Sequence, residues 1–216
     1  MSDVVVYGVP GSPYYRAALL GLEEKNIPYR LSFLQPGMGR SPEHLSRHPF
    51  GRIPVLDHGD FRLYETQAIL RYVDGLSADN PLQPTDAKTA ARMDQIAGIV
   101  DWYVFPTITV KITAERIMSQ FFWQRGPNEE TIAKALPEAR VCIQELDRLK
   151  GSAPYLTGTS VTLADLMLVP QIEFFSHTPE AADLLRGTGL SQWLGRMQTR
   201  PSMQATERDR LVQAAA

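Results

Sequence analysis

The sequence predicts an α/β domain followed by an all-α domain: a βαβαββα layer, then a helical bundle. Three observations carry that expectation. Residues 1–80 hold 8 glycines and 7 prolines, while residues 81–216 hold 7 and 9 over a longer stretch, so the first part is broken often, as short elements are. Apolar residues in the first part alternate between short β-branched runs and helical spacing, the pattern of βαβ units. The second part carries long polar–apolar stretches of helical period. The boundaries read from these patterns are 1–79 for the first domain, 80–87 for a proline-bearing linker and 88–216 for the helical domain.

Val4-Val5-Val6-Tyr7 is a β-branched run closed by Gly8, Pro10 and Gly11, and reads as a buried strand. Ser12 and Pro13 open a helix whose apolar positions Tyr15, Ala18, Leu19 and Leu22 share one face; Asn26 and Pro28 end it. Tyr29–Phe33 alternates like a second strand, which implies a parallel pair with a right-handed crossover. A Gly/Pro loop over residues 35–39 leads to a short helix near Pro42–Arg47. Residues 53–57 and Phe61–Tyr64 flank the turn His58-Gly59-Asp60 as a hairpin, and residues 65–76 follow as a helix. Beyond the linker, residues 86 to about 120 form one long helical pattern, with a kink expected at Pro106. Further helices are expected over Glu129–Lys150, 162–176 and 189–199, and residues 214–216 are expected to fray.

Composition removes several functional classes. With 44% hydrophobic and 21% charged residues the chain is an ordinary globular one rather than a disordered one. The 22 basic and 24 acidic side chains leave a net charge of −2, so a nucleic-acid partner is not expected. No apolar run approaches the roughly 20 residues of a membrane helix, and no basic-then-apolar leader opens the chain, so neither a membrane span nor a signal peptide is expected. The single cysteine, Cys142, excludes an internal disulfide and a CxxC site and fits a reducing, cytoplasmic setting. Among Val141, Leu146 and Leu149 it reads as a buried small hydrophobe. The four histidines form no metal-binding spacing, so no metal is expected.

Three segments carry candidate chemistry. Gly11-Ser12-Pro13 is an ordinary helix start, with Ser as N-cap and Pro at the first helical position. A hydroxyl there also sits beside the positive end of the helix, where it can hold an anion; a thiolate so held has a lowered pKa. In Gly51-Arg52-Ile53-Pro54-Val55-Leu56 the proline stands where a strand begins. A trans turn is the ordinary reading; a cis bond would turn the Ile53 backbone outward, toward an extended peptide-like ligand. Glu65-Thr66 reads as a solvated first turn of a helix, or as a clamp for a zwitterion: the carboxylate for an ammonium, the hydroxyl and backbone N–H for a carboxylate.

Taken in order, Ser12 with Arg16 four residues on, then Pro49-Phe50-Gly51-Arg52-Ile53-Pro54-Val55-Leu56, then Leu63-Tyr64-Glu65-Thr66-Gln67-Ala68-Ile69, the chain resembles the cytosolic glutathione S-transferases, most nearly the serine-type, phi- and theta-like bacterial enzymes. Ser160-Val161-Thr162-Leu163-Ala164-Asp165 looks like that family's capping box in a late core helix, and its physics stands alone: Thr162 caps and Asp165 reaches back. The resemblance implies a thioredoxin-like N-terminal domain and conjugation of the glutathione thiolate to small apolar electrophiles in detoxification, with glutathione as co-substrate, no other cofactor and a homodimeric assembly. It implies Ser12 as the catalytic, thiolate-stabilising serine. Ile53 would pair with the cysteinyl part of glutathione, Glu65 and Thr66 would hold the γ-glutamyl end, and Arg40 would meet the glycyl carboxylate. Arg52 stands where the serine-type pattern usually has Gln, although a guanidinium also binds a carboxylate.

Tyr7, at the end of the first strand, is where tyrosine-type members carry their phenol, and otherwise reads as a sheet aromatic. Phe105, Thr109 and Ile112 follow at i, i+4 and i+7 on the long helix and would line the second substrate's pocket if that stripe is not core. Tyr14 and Met38 join them by resemblance. A non-catalytic glutathione-binding or protein-interaction module of the same fold, and a glutathione-dependent dehalogenase or isomerase, share all these features and remain alternatives.

Overall fold

Strand β1 (Val4–Gly8) pairs in parallel with β2 (Tyr29–Phe33) and antiparallel with β3 (Val55–His58), which pairs antiparallel with β4 (Phe61–Tyr64); the sheet order is β2-β1-β3-β4. This is a computed structural model, and it describes residues 3–35 and 37–214; Pro36 of the expected loop and residues 215–216 of the expected tail lie outside them. The mixed sheet, the parallel first pair and the hairpin are as the sequence predicts.

Alternation along β1 sets the layers. Val4, Val6 and Gly8 are buried, while Val5 and Tyr7 on the other face are half-buried. Helix α1 (Pro13–Glu24) is capped by Ser12 with Pro13 at its start. It packs with helix α3 (Thr66–Gly75) over a core of Val4, Val6, Tyr15, Ala18, Leu19, Leu22, Leu56, Ile69 and Val73. Gly8 is required at the end of β1, because a Cβ there would lie 2.1 Å from the buried ring of Tyr15. A short 3-10 turn (Met38–Arg40) and helix α2 (Pro42–Arg47) connect β2 to β3.

The compact units divide differently from the expected 1–79 and 88–216. Residues 1–83 together with 198–216 form one unit, and residues 84–197 the other. The last stretch therefore belongs with the sheet, not with the helical bundle, and side chains of α1 hold it there. Arg16 donates through Nε to Thr206 Oγ1 at 3.2 Å and through Nη2 to the Met203 carbonyl at 2.9 Å. Glu24 accepts from Arg200 and Ser202, and Leu211 enters the core of the first unit. The segment carries helices α10 (Pro201–Ala205) and α11 (Arg208–Ala214).

At the other end of α1, Lys25 is buried and gives Nζ to Asp74 at 2.9 Å and to the carbonyls of Asp79 and Asn80. Asp74 also accepts from Leu82 N at 2.9 Å and Gln83 Nε2 at 3.0 Å. Burial raises the Asp74 pKa, but these donors and Lys25 outweigh it and leave it below the ordinary value. The pair ties the ends of α1 and α3 to the chain that leaves the sheet.

In the second unit the expected single helix over residues 86–120 is one continuous run in three parts: α4 (Ala87–Ile99), a π-helical segment (Val100–Thr113) and α5 (Ala114–Phe122). Pro106 sits inside the π segment rather than at a sharp kink. A wider register absorbs the proline's missing donor; Ala114 N reaches the Thr109 carbonyl, five residues back. Helix α6 (Glu129–Lys150) starts at its Asn128 cap, followed by α7 (Leu163–Ser176), α8 (Pro179–Leu184) and α9 (Gly189–Gln198).

Helix α7 carries the expected capping box of Thr162 and Asp165. Asp165 is fully buried and accepts from Thr162 N at 2.9 Å, Thr162 Oγ1 at 3.1 Å, Leu156 N at 3.0 Å and Trp193 Nε1 at 2.8 Å. It therefore joins three segments of the bundle. Burial pushes its carboxyl up from the ordinary value, and the four donors pull it back. Thr162→Ala is expected to cost about 1 kcal/mol, the size of a lost cap. Asp165→Ala should cost about 3 kcal/mol or more, because each buried donor left unpaired costs about 1–3 kcal/mol. Urea denaturation of the two variants checks this; an Asp165→Ala midpoint no lower than that of Thr162→Ala refutes it.

Candidate glutathione site

Sheet register brings the three sequence motifs to one place. Tyr7 of β1 stands opposite Val55 of β3, and Val55 stands opposite Tyr64 of β4, so these three residues form one row across the sheet. Strands β1 and β4 leave that row in the same direction, and β3 enters it from there. Ser12 after β1, Ile53-Pro54 before β3 and Glu65-Thr66 after β4 consequently lie at the same end of the sheet. The N-termini of α1 and α3 open there, each with its partial positive charge.

At α1, the half-buried Ser12 has extended backbone (φ −73°, ψ 124°), and its Oγ accepts from Tyr15 N at 3.4 Å. A hydroxyl that accepts in this way keeps its own proton to donate. Tyr7 differs. It projects from the face of β1 opposite Val6, toward α2, where the Arg47 guanidinium carbon lies 4.5 Å from its ring centroid. Its phenol lies beside Asp57, which Arg62 grips at 2.7 and 2.8 Å; that ion pair, with Tyr7, holds the Asp57 carboxyl below the ordinary value. The ring thus lies on the face away from the helix that Ser12 heads.

The Ile53–Pro54 bond is cis, not the trans turn that is the ordinary reading of the sequence. At α3, Thr66 is the first helical residue and is buried, while Glu65 before it is exposed and has φ 71° and ψ 114°. That left-handed backbone is unusual for a residue with a side chain and is the kind of local strain that concentrates at binding sites. Glu65 makes no side-chain cap to its own helix, so its carboxylate is spared for another partner.

Arg40 ends the 3-10 turn and Arg52 follows Gly51, and the two segments are pressed together. Gly51 has φ 62°, and a Cβ on it would lie 2.7 Å from the Gly39 carbonyl and 3.4 Å from Arg40 Cδ. Only glycine fits, by conformation and by space. Both arginine side chains are exposed. Elsewhere arginines are matched with acids, as in Arg47–Glu43, Arg62–Asp57, Arg125–Glu115 and Arg200–Glu24. Neither Arg40 nor Arg52 has a carboxylate partner among the described residues, an arrangement suited to an anionic ligand.

Beneath Arg52 lies a feature the sequence reading missed. His44 and His48, one turn apart, are both 2% exposed. The His44 Nε2–H donates to the Arg52 carbonyl at 2.8 Å, and the Nδ1 atoms of both rings are buried with no partner among the described residues. The His48 ring lies against Tyr64 with centroids 4.5 Å apart, and against Phe50 and His44 at 6.1 and 6.4 Å. Burial, then the charges of His44 and Arg52, pushes the His48 pKa down. The spacing i, i+4 on a short helix was the available signal, but nothing in it pointed inward.

The expected second-substrate residues are not alike. Tyr14 is half-buried near the start of α1, and Met38 is exposed on the 3-10 turn. Phe105 is half-buried on the π segment. Ile112 has no exposed surface, so it is core and cannot line a pocket. Thr109 is nearly buried and gives its hydroxyl to Gln171 at 2.6 Å. The expected i, i+4, i+7 face assumed α-helical geometry, and the π register re-aims it. Cys142 is buried, and burial raises its thiol pKa to about 11, which leaves it inert. Among the described residues no group of three His, Cys, Asp or Glu is placed to hold a metal, and no helix is long and apolar enough to cross a membrane.

Residues 2–75 match the family described as Glutathione S-transferase, N-terminal domain. The chain is 30% identical over 206 residues to Glutathione S-transferase 4 of Zea mays, covering 92% of this chain and 89% of that one. It is 26% identical over 206 residues to a glutathione S-transferase of Pseudomonas putida, covering 89% and 90%. In fold it is similar to glutathione transferase F7 from Populus trichocarpa, with TM-score 0.84 at 23% identity over 94% of this chain and 97% of that one. The chain belongs to the glutathione S-transferase family.

The buried histidine has a consequence for acid stability. An unfolded chain protonates His48 at its ordinary value of 6.5, whereas the folded chain resists that proton, so the unfolded state binds more protons below that pH. Stability therefore rises with pH through this window and is lost as pH falls, by at most about 1.4 kcal/mol per pH unit for one group. Urea denaturation between about pH 7 and pH 5 should show a smaller loss for His48→Gln than for the unchanged protein. Equal losses would rule this out.

Proposed function

We propose that the protein conjugates the glutathione thiolate to small apolar electrophiles, with Ser12 as the catalytic residue of a serine-type, phi- or theta-like site. The observation that carries this reading is the shared row of Tyr7, Val55 and Tyr64, which draws Ser12, Ile53 and Glu65-Thr66 to one sheet end. There the γ-glutamyl end of glutathione meets Glu65 by its ammonium and Thr66 with the α3 N-terminus by its carboxylate. The Ile53 backbone meets the cysteinyl amide, and Arg40 and Arg52 take the glycyl carboxylate. Tyr14 and Met38 border the electrophile.

A free thiol has a pKa near 8.5, so little thiolate exists at neutral pH. Lowering it by about two units corresponds to roughly 2.7 kcal/mol of preference for the charged form. One hydroxyl hydrogen bond and a helix N-terminus are of the right size to supply it. The thiol proton leaves to solvent, the sulfur lone pair forms the C–S bond, and the electrophile's leaving group departs with the electron pair of its broken bond. Holding both reactants adds proximity.

Titrating the thiolate absorbance of bound glutathione tests the assignment. Ser12→Ala is expected to raise the bound thiol's pKa toward the free value and to slow conjugation of an aryl halide. Tyr7→Phe should leave both nearly unchanged, since its ring lies on the other face of the sheet, under Arg47. The opposite result would move catalysis to Tyr7.

We also infer a homodimer in the cytoplasm. The family relationship supports this reading, and the exposed aromatics Phe50 (65%) and Trp102 (78%) are candidate contacts. Light scattering should give about twice the chain mass of 24.2 kDa; a chain-mass particle at micromolar concentration refutes the dimer.

A further inference from the structure

We propose that His44 is a positioning residue for glutathione: it holds the backbone of Arg52 so that the Arg52 guanidinium meets the glycyl carboxylate. The proposal rests on the reading of Arg52 given above. Its basis is the 2.8 Å bond from His44 Nε2–H to the Arg52 carbonyl, made by a ring that is 2% exposed. A carbonyl only accepts, so the proton is on Nε2.

The surroundings make that bond a stop rather than a loose contact. His44 N is itself held by the Ser41 side chain at 3.1 Å, and the His44 carbonyl accepts from His48 N at 2.8 Å. The His48 carbonyl accepts from Gly51 N at 2.8 Å, one residue before Arg52. Gly51 is wedged against Gly39 and Arg40, so the same chain of contacts ends on the second arginine. Arg52 has no acid beside it among the described residues to fix its direction. Its aim therefore comes from its backbone, and the His44 bond sets that backbone two residues before the cis-proline.

The test compares glutathione with its monoethyl ester at the glycyl carboxylate, which removes the charge Arg52 would meet. His44→Leu keeps bulk and removes the donor; it should raise the KM for glutathione about tenfold, the size of one lost hydrogen bond. The kcat and the KM for the ester should stay put. His44→Gln, whose side-chain N–H reaches as far as Nε2, should restore the preference for glutathione over the ester. His44→Asn, too short to reach, should lose it, and it serves if the leucine variant folds poorly. Adding His44→Leu to Arg52→Ala should change the preference no further, because the two act as one unit.

An unchanged glutathione-to-ester preference in His44→Leu or His44→Asn, with Arg52→Ala altering it, overturns the positioning role alone. If Arg52→Ala leaves the preference unchanged, the assignment of Arg52 to the glycyl carboxylate falls, and the role of His44 falls with it. A His44→Leu effect that persists on top of Arg52→Ala also overturns the proposal, since His44 would then act by another route.

Discussion

The register of β3 against β1 is the constraint on which the site depends. Side chains alternate with period two, so a slip of one residue would turn Val55 and Leu56 to the wrong faces and carry Pro54 out of line. Leu56 is in the buried core of the sheet unit, which fixes the phase. Once that phase is set, the placement of the other motifs follows without further instruction. The first helix must leave from the end of β1, the third from the end of β4, and the proline must precede β3. A site made of backbone ends and helix termini is in this sense a product of topology, and its few side chains complete it.

Each unit also holds a buried carboxylate that satisfies donors from separate segments. Asp74 takes Lys25, Leu82 N and Gln83 in the sheet unit. Asp165 takes Thr162, Leu156 N and Trp193 in the helical unit. The chemistry differs. Lys25 brings a counter-charge, so Asp74 is held ionised and its removal would strand a buried ammonium. Asp165 has only neutral donors, so its role is to satisfy three chain segments that burial would otherwise leave unpaired.

Much of this was legible in the sequence, where the signal was local. Ser12-Pro13, Thr162 with Asp165 and the β-branched run of β1 each announce themselves within a few residues, and the elements they begin are where the pattern puts them. What escaped was long-range or short. Arg16 and Thr206 lie 190 residues apart, and nothing near either one says that the last segment returns to the first helix. Helices α8 and α10 are 6 and 5 residues long, too short for periodicity to show. The π segment has helical composition throughout, and the shift in register is a backbone event that composition does not encode. For the candidate site, the residue types could be read, but not the positive φ of Glu65 or the inward turn of His44.

Tyr7 and Ser12 show why a position in sequence is weaker than a direction in space. Both lie near the end of the first strand, and both carry a hydroxyl. The strand's alternation sends Tyr7 to the face where Arg47 of α2 lies over its ring, beside Asp57 and Arg62. Ser12 lies beyond the strand, at the head of a helix on the opposite face, where its oxygen accepts one bond and its proton is left to give. An anion arriving at the sheet end therefore meets the serine's donor together with the positive end of α1. It meets an acid-paired cluster on the tyrosine's side. The strand's alternation thus puts the Tyr7 ring on the face away from α1.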